Sequence, residues 1–353
     1  VSLARLRLAR TEGVGAAMQR RLLSRHGSAE ATLEALGPRA FSRDAARREV
    51  EALERRGARL LFPGDPDYPP LLALLDDAPQ VLAVEGSLAP FGLRGVALVG
   101  ARNASAHGCR FAEELAEALA LKDIAVISGL AHGIDGAAHV GALRTGTTVA
   151  CIAGGLDVPY PRENAKLQRR IVEEGGAVVS EAPLGTAPLA RHFPRRNRIV
   201  AGLSLGVVVV EAARQSGTLI TARLAIEAGR EIFAVPGHPH DPRSHGANDL
   251  IRQGAHLTEG AEDVLMHLPD APLGRPTLRQ MELPELPIME PTPLPALGGA
   301  AQVLEMLGAT PMPVDELGRR CQLSRPELAA LLTDLELEGR IETLPGNRVA
   351  LAS

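Results

Sequence analysis

Four places in this 353-residue chain set glycines or hydroxyls directly after a short β-branched run. Gly100-Ala101-Arg102-Asn103 follows Val96–Val99, and Gly129-Leu130-Ala131-His132-Gly133-Ile134-Asp135 follows Ile124–Ser128. Ala153-Gly154-Gly155 follows Thr147–Ile152, and Glu211 followed by Ser216-Gly217-Thr218-Leu219-Ile220-Thr221 comes after Val207–Val210. Where a strand ends in glycine and a helix begins, backbone N–H groups can approach an anion closely, and the helix N-terminus adds positive dipole. Gly100, Ser128, Gly129, Gly133, Ser216, Gly217, Thr218 and Thr221 are therefore candidate contacts to a phosphate. Arg102 would add a guanidinium fork. Any one cluster could be an ordinary tight turn; the four together point to a phosphate site.

A second feature is Phe193-Pro194-Arg195-Arg196-Asn197-Arg198, with Arg191 just before it. Only 2% of the residues are aromatic, so a phenylalanine among arginines stands out. One reading is a core phenylalanine under a charged loop. The other is a stacking platform for a base, with guanidiniums along the nucleic-acid backbone. Asp135 and Glu211 are the carboxylates beside the turns. We expect Asp135 to accept backbone N–H groups at a helix N-terminus, and Glu211 to pair with Arg196 or Arg198. His132 and His139 lie seven apart with no third ligand evident, and His238, His240 and His245 read as solvated loop residues. No metal and no cofactor is expected.

These residues need a scaffold, and the periodicity describes one. Six short apolar runs (Val96–Val99, Ile124–Ser128, Thr147–Ile152, Ala177–Ser180, Val207–Val210 and Glu231–Val235) mostly alternate with helix-length segments. That is the pattern of an α/β fold, Rossmann-like, with a mainly parallel doubly wound sheet whose ligands sit at the strand C-termini. Residues 1–60 read as a helical module, with helices at Leu3–Leu8, Ala16–Ser24 and Ala29–Leu36. Gly13-Val14-Gly15 there resembles a helix-hairpin-helix turn, able to hold a phosphate on backbone N–H groups. Residues 61–94 read as a connecting and packing segment broken by Pro63, Pro66, Pro69 and Pro70. The core spans 61–268, and 269–297, with eight prolines, reads as a stiff linker. Helices at Ala300–Leu307, Val314–Cys321 and Ser324–Leu337, then a hairpin of Ile341–Leu344 and Arg348–Leu351, describe a winged helix over 298–353.

Composition bounds the reading without deciding it. With 45% hydrophobic and 23% charged residues, the chain is globular. No apolar run is long enough to span a bilayer, and Val1–Arg10 lacks the apolar stretch of a signal peptide. Three scattered cysteines, Cys109, Cys151 and Cys321, fit buried thiols in a reducing cytoplasm. The net charge is −4, yet residues 1–60 hold 13 arginines against 7 acids. The helix from Ser324 carries Glu327, Asp334, Glu336 and Glu338 against Arg325, which suits a protein contact or a regulatory role better than the major groove. Ser324 and Glu327 form a capping box at its start.

Taken in order, Gly100-Ala101-Arg102, Ser128–Asp135 with His139 and Leu143, Tyr160-Pro161, Ser180-Glu181, Phe193–Ile199, Glu211, Ser216–Thr221 and Val235-Pro236-Gly237 resemble the signature of the DprA/Smf family. The resemblance covers roughly residues 65–268. It implies a cytoplasmic, non-enzymatic, single-stranded-DNA-binding protein that protects incoming strands in natural transformation and loads the RecA recombinase, usually as a homodimer. By the same resemblance Arg102 clamps a phosphate or packs on a base, Ser128, Gly129 and Gly133 donate, and Phe193 stacks. Arg196, Asn197 and Arg198 shape the pocket wall, and Ser216, Gly217, Thr218 and Thr221 cap another phosphate. Leu250, Ile251 and Leu257 fall where the family pairs tail to tail.

Two positions depart from that pattern. Ala101 stands where many relatives have Ser or Thr, and Ala190 where the family often has Lys, so Arg191 is expected to substitute. Two other readings stay open. A nucleotide phosphoribohydrolase of the LOG type would need P-G-G-x-G-T-x-x-E, which Ser216–Thr221 lacks. A dinucleotide site would need G-x-G-x-x-G after the first strand, which Gly100 does not begin.

Overall fold

A computed structural model of the chain describes residues 2–270 and, beyond them, 303–304, 312–314, 317, 325–338, 340–344 and 348–351. The chain divides into two compact units, 1–284 and 285–353. The expected proline-rich linker lies outside the described residues except at 269–270, as do most of the helices expected at 300–307 and 314–321 and the Ser324 cap.

The first unit opens with α1 (Leu3–Arg10), α2 (Ala16–His26), α3 (Ala29–Leu36) and α4 (Arg43–Arg55). Ser2, Ser28 and Ser42 cap α1, α3 and α4 by accepting from the backbone N–H three residues on. The fourth helix is an addition to the three expected. Leu6, Ala46 and Leu53 pack this module against the sheet, and Arg10 adds a polar tie. Its Nη2 pairs with Glu49 Oε1 at 2.8 Å and its Nη1 donates to the Glu181 carbonyl at 2.8 Å.

The sheet has nine strands: β1 (Ala58–Leu61), β2 (Leu82–Gly86), β3 (Arg94–Val99), β4 (Ile124–Ser128), β5 (Thr148–Cys151), β6 (Ala177–Ser180), β7 (Gly206–Val209), β8 (Glu231–Ala234) and β9 (His256–Leu257). Their order is β1-β2-β6-β5-β4-β3-β7-β8-β9. From β6 to β9 all pairs are parallel, while β1–β2 and β2–β6 are antiparallel. Residues 61–94 are thus more than a connector, because β2 extends the sheet from β6. The helices are α5 (Pro70–Ala73), α6 (Ala106–Ala120), α7 (Ile134–Ala142), α8 (Ala165–Glu173), α9 (His192–Leu203), α10 (Gly217–Glu227), α11 (His245–Arg252) and α12 (Ala261–His267).

Alternation along β3 shows why helices cover both faces. Val96 and Leu98 pack with Ala112, Leu115 and Leu119 of α6, while Ala97 and Val99 pack with Ile199, Val200 and Leu203 of α9. The strand order reverses at β3, which β4 and β7 flank. That reversal opens a crevice at the C-terminal strand ends, where β3, β4, β5 and β7 deliver their glycine turns.

One buried polar pair lies behind this crevice. His139 of α7 is fully buried, with Nδ1 2.7 Å from Thr148 Oγ1, and that hydroxyl donates to the Val126 carbonyl. The geometry makes Nδ1 the protonated nitrogen. Burial, reinforced by Arg196, lowers the imidazole from 6.5 to about 3. In the unfolded chain the ring takes up a proton below its ordinary value, so the unfolded state binds more protons. Stability therefore falls as the pH drops below 6.5 and goes on falling to about 3, by up to about 1.4 kcal/mol per pH unit. His139→Asn, which keeps a donor near Thr148, is expected to flatten urea midpoints between about pH 6.5 and pH 5; an unchanged slope would show that the ring titrates freely.

Cys151 is buried and its thiol is pushed up to about 12 by that burial, whereas Cys109 is half-buried. Cys321 lies outside the described residues.

The second unit is built around Val303, Leu317, Leu328, Leu332, Leu335, Ile341 and Val349. Its helix runs Arg325–Leu337, and the strands Ile341–Leu344 and Arg348–Leu351 pair as the expected hairpin. A further strand, Met312–Pro313, pairs with Arg348–Val349. Asp334, Glu336 and Glu338 are exposed, and Glu336 accepts from the Thr343 N–H at 3.2 Å.

Candidate functional site

Two arginines and two aromatic rings meet at the strand ends. The Arg102 guanidinium, in the exposed turn after β3, lies 4.9 Å from the Phe193 ring centroid, and the Arg196 guanidinium lies 5.9 Å from it. Tyr160 meets Phe193 edge-on, with centroids 5.7 Å apart. Phe193 and Arg196 sit in the first turns of α9. Gly129, Ala131, Ile152, Ala153, Gly154, Tyr160, Phe193 and Arg196 are among the residues around a notch of about 10 Å³, no larger than a water needs. The rings and guanidiniums therefore form a surface to stack on rather than a cage.

Arg196 supports that surface from below. It is 7% exposed, with Nη1 donating to the carbonyls of Gly129 and, at 2.7 Å, Cys151. It thereby joins the ends of β4 and β5. Its Nε donates to Asn197 Oδ1 at 3.0 Å, which ties up the Asn197 amide oxygen. Gly129 is required because a Cβ there would overlap the Arg196 guanidinium. Burial lowers the Arg196 pKa, with Asp135 and Cys151 opposing it.

The β4–α7 turn is held in an uncommon conformation. Leu130 has φ 57° and Gly133 φ 70°, and a Cβ on Gly133 would strike the Ala101 carbonyl. Asp135 receives the N–H groups of Gly129 and Ala131 at 3.1 and 3.4 Å, as expected from its place at the start of a helix. Burial raises its carboxyl pKa, and Arg196 and the two N–H groups oppose that rise. Asn164 donates to the carbonyls of Leu130 and Ala131 at 3.0 and 3.1 Å. It stands at the N-cap position of α8 but gives that helix no side-chain cap.

Several expected contacts turn inward. Ser128 is fully buried and its hydroxyl donates to the Leu98 carbonyl at 2.6 Å, so it is no donor to a ligand. The Gly129 N–H is likewise taken by Asp135. Thr218 donates to the Gly100 carbonyl at 3.0 Å, tying α10 to β3, and Thr221 is buried one turn further on. Ser216 caps α10 by accepting from the Thr218 N–H at 3.1 Å, which leaves Gly217 exposed beside it. Gly100 packs against Ile134, 2.5 Å from where a Cβ would stand.

Arg198 faces away from Phe193 and is bound on both sides, by Glu181 at 2.7 Å and Asp77 at 3.3 Å. Arg191 is exposed at the start of α9, next to exposed Ala190.

Glu211 corrects another expectation. It pairs with neither Arg196 nor Arg198: its two oxygens accept from the Ser105 N–H at 2.9 Å and the Ser105 hydroxyl at 2.6 Å. Ser105 in turn caps α6 by accepting from Gly108. In a doubly wound sheet the helix after the first central strand is a favoured place for a phosphate. Here the chain's own carboxylate fills it, which is incompatible with a dinucleotide at that turn.

The histidine pair separates, with His132 exposed 3.5 Å from Glu163 and His139 in the core. Among the described residues no three metal-binding side chains converge.

Tyr160 and Asn164 were missed as site residues. The signal for Tyr160 was its rarity, one of two tyrosines in the chain, in a short motif with Pro161. Nothing in the spacing revealed which carbonyls Asn164 holds.

Fold and site together define a class: a doubly wound α/β protein whose strand ends carry an arginine-and-aromatic surface instead of a dinucleotide cradle. Comparison with known proteins agrees. The family described as DNA recombination-mediator protein A matches residues 59–269, a DprA winged helix domain matches 287–347, and a DprA-like N-terminal HHH domain matches 1–59. The chain belongs to the DprA/Smf family.

It is 42% identical to Protein Smf of Escherichia coli over 300 residues, covering 82% of this chain and 77% of that one. It is 45% identical to the DNA processing protein DprA of Streptococcus pneumoniae over 202 residues, covering 57% and 71%. The X-ray structure of the S. pneumoniae protein superposes with a TM-score of 0.68 at 33% identity, covering 77% of this chain and 99% of that one. A structure of the Helicobacter pylori DNA processing protein A, which concerns that protein's single-stranded DNA binding mode, superposes with a TM-score of 0.54 at 27% identity. It covers 59% of this chain and 94% of that one.

Proposed function

We propose that the protein binds single-stranded DNA without chemically altering it, protects incoming strands and loads the RecA recombinase in natural transformation. The observation that carries this reading is Phe193 with Arg102 at 4.9 Å and Arg196 at 5.9 Å, a stacking face bordered by fixed positive charge. The non-enzymatic part is supported by Asp135 and Glu211, the carboxylates beside the turns after β4 and β7, each of which is engaged by internal donors. The recombinase partner is supported by membership of a family described as recombination mediators. A cytoplasmic location follows from that role, and no helix among the described residues is long and apolar enough to cross a membrane.

Titration of labelled oligo-dT at two salt concentrations tests the reading. Binding below about 1 μM that weakens with salt is expected. Release of base from a nucleoside monophosphate with no oligonucleotide binding would establish the phosphoribohydrolase instead.

The working unit is proposed to be a homodimer through the β9 end of the sheet. Leu250 is buried in the core and cannot itself form the contact, and Ile251 packs beside it. Leu257, 48% exposed on edge strand β9, and Met266, 76% exposed on α12, remain as apolar anchors. Light scattering at tens of micromolar is expected to give twice the chain mass, and Leu257→Lys to give the single mass. A monomeric wild type would overturn the assignment.

A further inference from the structure

A larger cleft of about 890 Å³ adjoins the aromatic pocket, within the roughly 300–1,000 Å³ of typical ligand sites. One wall is the Gly13–Gly15 turn and the start of α2; the other is the first turns of α9 with Pro194, Arg195 and Arg196. The two cavities share Ile152, Ala153 and Arg196, so a chain lying on Phe193 passes from one to the other without leaving the surface.

The charge in the cleft is suited to an anion. Its two carboxylates, Asp77 and Glu181, are already held by Arg198 at 3.3 and 2.7 Å. Arg195 is exposed and makes only a loose 3.8 Å contact with Glu181. Arg196, 7% exposed, uses Nε and Nη1 internally, while its Nη2 makes no hydrogen bond among the described residues. Opposite them, α2 begins at Ala16 after an N-cap glycine, Gly15, with no side-chain cap and no acid in its first turn, so its leading N–H groups are open to a ligand.

We infer that this cleft carries the single strand onward from the Phe193 pocket, with a backbone phosphate held between Arg195 and the first turn of α2. The inference rests on the single-stranded-DNA reading of the core and gives the N-terminal module a share in the same site. The strand would contact both faces of the cleft, which makes the helical module a second gripping point.

Full-length Arg195→Ala and Ala16→Asp test this. The aspartate places a carboxylate in the cleft at a helix position that favours acids, so folding is retained and an unchanged or raised Tm checks it. Oligo-dT of about five nucleotides covers the pocket alone, and about fifteen covers both. Each variant is expected to bind the longer strand about fivefold more weakly, with the slope of log K against log salt reduced by about 0.7 for each phosphate no longer neutralised. Binding of the short strand is expected to be unchanged. Equal affinity of wild type and both variants for the longer strand would overturn the inference, as would equal losses at both lengths. Failure of the wild type to bind either strand would instead remove the DNA-binding reading on which it stands.

Discussion

Phe193→Ala is expected to weaken oligo-dT binding by roughly fivefold to 150-fold, the range set by about 1–3 kcal/mol for loss of one base–aromatic stack. The ring is also the surface on which Arg102 rests at 4.9 Å, so its removal releases that guanidinium. Arg102→Ala should produce a comparable loss by a different route. It removes a charge, so its salt slope should fall by about 0.7, whereas that of Phe193→Ala should stay near wild type. Because the two side chains touch, their losses should not add, and the double variant should bind about as poorly as the worse single one. Unchanged affinity in Phe193→Ala, measured by the same titration, would move the binding surface elsewhere on the molecule.

Arg10→Ala is expected to cost about 3–5 kcal/mol of stability, the range for breaking a buried ion pair from one side. The Arg10 and Glu49 side chains are 9% and 8% exposed, and Arg10 also donates to the Glu181 carbonyl. Truncation leaves the Glu49 carboxylate buried without its cation and cuts one of the ties between the helical module and the sheet, leaving Arg5 on Asp65 and the packing of Leu6 and Leu53 in place. Urea unfolding should show this as a large fall in midpoint or as separate loss of the module. Arg10→Met combined with Glu49→Leu should recover much of the loss, because no unpaired charge then remains. A single-variant loss below about 1 kcal/mol would mean that the pair is solvated in practice.

Strands buried on both faces were legible in the sequence because they leave unbroken apolar runs, and β3 to β8 fall within a residue or two of where those runs lie. The antiparallel pair was not. Leu82–Gly86 is short, stands after a stretch full of prolines, and takes its identity from a ladder with β6 nearly a hundred residues away. At the site, residue types were readable but their directions were not. The four arginines from Arg191 to Arg198 diverge: Arg191 and Arg195 reach solvent, Arg196 is buried, and Arg198 is fixed on Glu181. A clue was present, since Arg196, Ile199, Val200 and Leu203 share the spacing of one buried helix face. The fates of the Ser128, Thr218 and Glu211 side chains depend on which carbonyl or N–H the fold brings beside them, and no local pattern encodes that.

Arg196 has a consequence for how such a site can change over generations. The side chain that borders the stacking surface also closes the ends of β4 and β5 and fills the space that Gly129 leaves. Selection therefore cannot adjust ligand affinity at this position without disturbing the packing beneath it. Heritable variation in affinity is channelled to the rim, to positions such as exposed Ala190 and half-buried Ala101.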